Sequence, residues 1–215
     1  MQPTRTLTAH CTLSHPADGQ PLLTIDNEHA KAEISLFGAH VLRYQRHGEP
    51  ASLWLSDKAV LDGSKPIRGG IPLCWPWFGP APARVGSGKP AHGFARTSLW
   101  TLDGVSDHGD GTLVHLSLRD TDASRALWPH AFELELDVQV GKELSLVLTT
   151  RNTGKTPLTC NAALHTYLQI SAPEAVSVTG LGEPYADKLT GQDGQQQGAL
   201  TLTAAIDRVY QQAEA

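Results

Sequence analysis

Cysteine is scarce in this sequence. Cys11, Cys74 and Cys160 are three residues in 215, widely spaced and with no C-x-x-C pair. That excludes a disulfide framework and makes a reducing cytoplasm the simplest home. Positive charge is not in excess: 17 Lys and Arg stand against 22 Asp and Glu, with no dense basic block, so nucleic acid is not an expected partner. No apolar run approaches a membrane span, and the opening M-Q-P-T-R-T-L-T-A-H has no signal-peptide core, so no membrane is expected either. Neither G-x-G-x-x-G nor G-x-x-x-x-G-K occurs, which removes the common nucleotide-binding loops, and no G-x-S-x-G nucleophile elbow occurs. The ten histidines show neither H-x-H nor H-x-x-x-H spacing, so no metal is expected. Internal repeats are missing, and helical periodicity barely appears.

What is present is alternation. Phe132, Leu134, Leu136, Val138 and Val140 interleave with Glu133, Glu135, Asp137 and Gln139, so this strand has one buried face and one wet face. Similar patterns predict strands over 22–25, 30–37, 39–46, 98–102, 112–118, 143–150, 158–170, 175–179, 199–203 and 206–210, with a short one over 52–55. Gly38 reads as a bulge or turn, and Gly191–Gly198 (G-Q-D-G-Q-Q-Q-G) as a solvated loop. Only D-T-D-A-S-R-A-L-W predicts a helix, capped by Asp120 or Asp122 and stopped by Pro129. About a dozen short strands with turns between them point to an all-β antiparallel sandwich, here a single domain spanning 1–215.

The exception to alternation runs from Ile67 to Arg96. Five prolines and six glycines in 30 residues forbid a continuous helix, while Trp75, Trp77, Phe78 and Phe94 are more than a solvated linker needs. This is an ordered, ring-pinned loop system that binds something. Its rings either stack on a ligand or anchor the loop. Arg68 before Gly69-Gly70, and Arg96 four residues past His92, suit bidentate capture of phosphate or carboxylate; each alone is as well explained by a surface salt bridge. His92, between Ala91 and Gly93, lies where a ligand can approach backbone closely. In L-T-C-N-A-A-L-H-T-Y-L-Q-I, Leu158, Cys160, Leu164 and Leu168 take the core face. His165 shares the other face with Asn161 and Tyr167, as a general acid or an ordinary sheet histidine. Asp207 either holds a sugar hydroxyl or pairs with Arg208, and pairing is the reading favoured from the residues alone.

Taken in order, R-G-G-I-P-L-C-W-P-W-F-G-P, A-H-G-F-A-R, W-P-H-A-F-E-L, A-L-H-T-Y-L and D-R-V-Y resemble the hexose-6-phosphate mutarotases. These are the glucose-6-phosphate 1-epimerases of the aldose-epimerase, or galactose-mutarotase-like, superfamily. The resemblance runs from about Ile25 to Tyr210. It implies a β-sandwich of large twisted sheets and an isomerase acting on a small phosphosugar without cofactor or metal, with nothing demanding more than a monomer. It implies His165 as the general acid on the ring oxygen, His92 and Asp207 as sugar-binding groups, and Arg68 and Arg96 as phosphate ligands. It also implies a general-base glutamate in strands beyond D-R-V-Y, which no residue of this sequence matches. The domain is therefore expected to lack C-terminal strands and to work poorly as written. A non-catalytic sugar-phosphate-binding module is the alternative, and a purely structural sandwich the third.

Overall fold

Strand segments rich in alternating apolar residues pair antiparallel through the first two-thirds of the chain. The structure, a computed structural model, describes residues 3–211. β1 (Arg5–Thr6), β2 (Cys11–Ser14), β3 (Leu22–Asp26), β4 (Ala30–Ser35) and β5 (His40–Arg46) form a five-stranded sheet in chain order. β6 (Leu73–Cys74) follows in the Pro/Gly-rich loop. A second sheet is built from β7 (Thr101–His108), β8 (Gly111–Arg119), β9 (Phe132–Gly141) and β10 (Leu144–Asn152), again between sequence neighbours.

The alternation in β9 does what its pattern requires. Phe132, Leu134, Leu136, Val138 and Val140 are buried, and the intervening acids stay half-buried on the opposite face. Register extends this stripe across strands, with Val114 opposite Val138 opposite Leu146, and Leu116 opposite Leu136 opposite Leu148. Leu23 and Ile25 of β3 and Ile34 of β4 join these side chains in one core. Each such fully buried side chain contributes about 1.5–3 kcal/mol. Two polar groups cross between the sheets without breaking the core: Asn27 donates to the Val140 carbonyl (2.8 Å), and the Tyr44 hydroxyl donates to that of Gly141 (2.9 Å). Both are satisfied, so their burial carries little penalty.

Between β8 and β9 lies α1 (Asp122–Leu127), the predicted helix. Its cap is Thr121 rather than Asp120 or Asp122. Thr121 and Ser124 form a reciprocal capping box, while Asp120 instead accepts from the Phe132 amide and pairs with Arg125.

The largest departure is 158–170. Only β11 (Ala163–Leu164) is strand, paired with β6. Further along, the His165 amide donates to the Pro72 carbonyl (3.0 Å), and the Tyr167 amide to that of Gly70 (2.9 Å). Pro72 and Pro76 accept but have no N–H to return, so a reciprocal ladder cannot extend. Leu158 and Cys160 pack half-buried against the core, but Leu164 and Leu168 are 41% and 66% exposed, so the expected core face holds only at the start of the segment.

The chain packs as two units, Met1–Leu168 and Gln169–Ala215. In the second, β12 (Ser177–Val178), β13 (Pro184–Asp187), β14 (Asp193–Gln195), β15 (Leu200–Thr201) and β16 (Arg208–Tyr210) form two small sheets, β12–β15 and β14–β13–β16. β14 lies within the stretch expected to be a solvated loop. Its Asp-Gly-Gln carries no apolar alternation, and it is held by backbone pairing to β13. β1 and β2 were likewise unforeseen. Among the described residues, no helix is long and apolar enough to cross a membrane.

Candidate functional site

The loop system from Ile67 to Arg96 is nailed to the core by its tryptophans. Trp75 and Trp77 are buried. Trp75 meets Phe94 and Trp128 edge-on (5.7 and 5.1 Å between centroids) and packs on Phe132 (4.6 Å). Trp77 Nε1 donates to the Pro90 carbonyl (3.0 Å), closing the loop on itself. Both tryptophans are therefore anchors, the second of the two readings open for these rings. Trp75 also accepts from the amides of Phe94 and Ala95 (3.0 and 3.2 Å). Gly93, at φ 68°, sits so close that any Cβ would overlap the Trp75 carbonyl oxygen.

That pinning positions the two histidines. His92 adopts φ 65°, a left-handed conformation costly for a residue with a Cβ, and is held there by its amide donating to the Gly79 carbonyl (2.7 Å). The Gly79 amide returns a bond to His92 Nδ1 (3.2 Å). With Nδ1 accepting, a neutral ring carries its proton on Nε2 and presents a donor there. The His165 ring lies nearly parallel to His92, 14° apart in plane and 6.1 Å between centroids. Phe78 packs against both (5.0 and 5.8 Å), and Tyr167 lies edge-on to His165 at 5.1 Å. Asn161 ties the groups together: its side-chain oxygen accepts from the Phe78 amide (2.8 Å), and its own amide donates to Pro76 (3.1 Å).

The arginines reach the same loop system. Arg96 donates through Nη2 to the carbonyl of Ala91, next to His92 (3.0 Å), and its Nε is buried with no hydrogen-bond partner among the described residues. Arg68 is exposed, with its carbonyl accepting from Ser56 (3.1 Å). No ion pair links either arginine to a carboxylate among the described residues.

Sequence reasoning missed His40. It is fully buried at the start of β5, and its Nε2 bonds the Gly69 carbonyl at 2.7 Å, directly beneath the R-G-G turn. Burial, assisted by the Arg96 charge, lowers its pKa to about 4 despite the opposing pull of the Gly69 bond, so the ring is neutral near pH 7. The same arginine opposes the upward push that burial gives the Cys74 thiol. Nothing in G-A-H-V-L marks this histidine, since its place in the alternation is that of an ordinary inward residue.

Asp207 belongs to the second unit, where it is exposed and its carbonyl accepts from the Lys188 amide (2.8 Å). Arg208 pairs with Asp187 (3.2 Å) and lies over the Tyr185 ring (4.2 Å). The favoured Asp207–Arg208 pairing is therefore wrong, because β13 offers Arg208 a carboxylate and a ring face together.

The two antiparallel sheets with this pinned loop define a galactose-mutarotase-like β-sandwich. The crystal structure of YeaD from Salmonella typhimurium, named there "a putative mutarotase", superposes at a TM-score of 0.91 and 34% identity, covering 99% of this chain and 70% of that one. The galactose mutarotase related enzyme of Lactobacillus acidophilus shares the fold at a TM-score of 0.65 and 15% identity, covering 85% and 65%. Residues 21–214 match the aldose 1-epimerase family model, and the chain belongs to that family. A relative from Escherichia coli K12, named "Putative glucose-6-phosphate 1-epimerase", is 37% identical over 90% of this chain. One of the same name from Salmonella typhimurium is 36% identical over 92%. The chain spans 64% and 66% of those two relatives' lengths.

Proposed function

We propose that the protein interconverts the α and β anomers of a hexose 6-phosphate, glucose 6-phosphate in the first instance, by acid–base ring opening and closure. The observation that carries this is the near-parallel His92–His165 pair in a loop system whose two arginines have no carboxylate partner among the described residues. Membership of the aldose 1-epimerase family, and the names of the relatives, support the same reaction.

His165 is the general acid. It gives a proton to the ring oxygen as the C1–O bond breaks, while the anomeric hydroxyl loses its proton to a base and becomes the aldehyde oxygen. Rotation about C1–C2 presents the other carbonyl face. The ring oxygen adds back, returns its proton to His165, and the new anomeric oxygen is reprotonated. His92, with Nε2–H as donor, holds a sugar oxygen near the reacting centre. Arg68 and Arg96 take the phosphate as charge-assisted donors. The base is the role that the family resemblance gives to a glutamate matched by no residue here. Acid and base catalysis each supply on the order of 10²–10⁴-fold, so the acid alone provides a measurable acceleration. Selectivity for phosphorylated sugar follows from the arginines, because a charge-assisted hydrogen bond is worth roughly 1.5–3 kcal/mol.

Stopped-flow polarimetry of freshly dissolved α-glucose 6-phosphate tests the assignment. Mutarotation accelerated by the protein, reduced strongly by His165→Ala and less by His92→Ala, is expected. An acceleration indifferent to His165→Ala would remove the general-acid role, and saturable binding with no acceleration would favour a binding module.

A further inference from the structure

We propose that His40 is a positioning residue for phosphate capture, its side-chain hydrogen bond to the Gly69 carbonyl setting the turn that presents Arg68 beside Arg96. This rests on the reading of Arg68 and Arg96 as the phosphate clamp.

The turn is held on several sides by backbone. Ser56 donates to the Arg68 carbonyl (3.1 Å), Gly70 donates to Trp54 (2.8 Å) and accepts from Tyr167 (2.9 Å), and Ile71 donates to Val41 (2.9 Å). The Gly69 carbonyl, between these, is bonded instead by a side chain, His40 Nε2 at 2.7 Å. Both glycines are forced. Gly69 has φ 111°, and a Cβ there would lie 2.6 Å from the Leu55 Cα and the Trp54 carbonyl oxygen. Gly70 has φ 61°, and its Cβ would lie 2.9 Å from His40 Nε2 itself. The turn thus lies directly on the imidazole, with no room for a side chain or a water between them. A neutral imidazole can donate to a carbonyl from one nitrogen without adding a third positive charge to the two arginines. The Arg96 charge reaches this ring, so the ring touches the backbone carrying one arginine and lies within the field of the other. The fold already buries ample apolar surface in β4 and β5, and an apolar side chain at position 40 would serve packing as well. What such a side chain cannot do is satisfy Gly69.

Calorimetric titration of glucose 6-phosphate and of inorganic phosphate into the full chain tests this, using wild type, Arg68→Ala, Arg96→Ala, His40→Leu and His40→Gln. Circular dichroism confirms that each variant is folded. Both arginine variants are expected to bind at least tenfold more weakly. His40→Leu is expected to lose roughly tenfold, the equivalent of one hydrogen bond to a buried carbonyl. His40→Gln, whose amide can still donate to Gly69, is expected to bind within about threefold of wild type, a rescue that mere packing does not predict. Weakened binding in the arginine variants with unchanged binding in folded His40→Leu overturns the inference alone. Unchanged binding in the arginine variants overturns the clamp and the inference together. If His40→Leu does not fold, His40→Gln decides: affinity near wild type supports the donor role, and a tenfold loss in folded protein overturns it.

Discussion

Acidification should destabilise this protein through the buried His40 ring. His40 ordinarily titrates near 6.5, but burial, reinforced by the nearby Arg96 charge, holds it down to about 4 in the fold. Above pH 6.5 the ring is neutral in both folded and unfolded chains and contributes no pH dependence. Between 6.5 and 4 the unfolded chain takes up a proton that the folded chain refuses, so stability falls as pH falls. The limiting slope is about 1.4 kcal/mol per pH unit, and the whole window amounts to about 3 kcal/mol. Below pH 4 both states are protonated and the effect saturates. Asp26, Asp62, Asp107 and Asp187 are held below the usual 3.8, so their contributions begin to be lost only near the acid end of this window, and they cancel in the difference between wild type and variant. Guanidinium unfolding of wild type and His40→Leu at steps across this range isolates the effect as a difference between two curves. The wild-type curve should drop relative to the variant by about 3 kcal/mol on going to pH 4. Parallel curves would show that His40 is not the buried neutral group described here.

Other substitutions probe the scaffold. Gly93→Ala places a methyl on the Trp75 carbonyl at a left-handed backbone position, and should cost at least about 3 kcal/mol or prevent folding, read by thermal melting. Trp75→Ala removes the ring that packs on Phe94, Trp128 and Phe132, and a loss of roughly 3–5 kcal/mol in denaturant unfolding is expected. Thr121→Ala deletes one half of the α1 capping box; about 1 kcal/mol is expected, a melting shift of about 2–4 °C with anomerisation unaffected.

The sandwich was legible because β9, β10 and most of their neighbours alternate strictly, and alternation survives in any register. The loop system was legible for the opposite reason, since its prolines, glycines and rings fit no regular element. Pairings within it were not. Leu158–Ile170 alternates as well as β9 does, yet its partner segment contains Pro72 and Pro76, and a sequence pattern does not say which segment will lie alongside. The Thr121 cap lost to its acidic neighbours in the sequence because Asp120 is drawn away by Arg125 and the Phe132 amide, both tertiary contacts. β14 was invisible because Asp193–Gln195 has no face to bury. In the candidate site, His92, His165, Arg68 and Arg96 stood out through unusual surroundings. His40 occupies an ordinary strand position and is distinguished only by the carbonyl that the fold places over it.

The most direct test is magnetisation-exchange NMR on equilibrated glucose 6-phosphate, with glucose as the control and His165→Ala alongside wild type. Exchange between the α and β anomeric signals should quicken for the phosphorylated sugar well beyond that for glucose, and the gain should collapse in the variant. Equal rates for the two sugars, or a gain that survives His165→Ala, would contradict a phosphosugar site that works by proton transfer from this histidine.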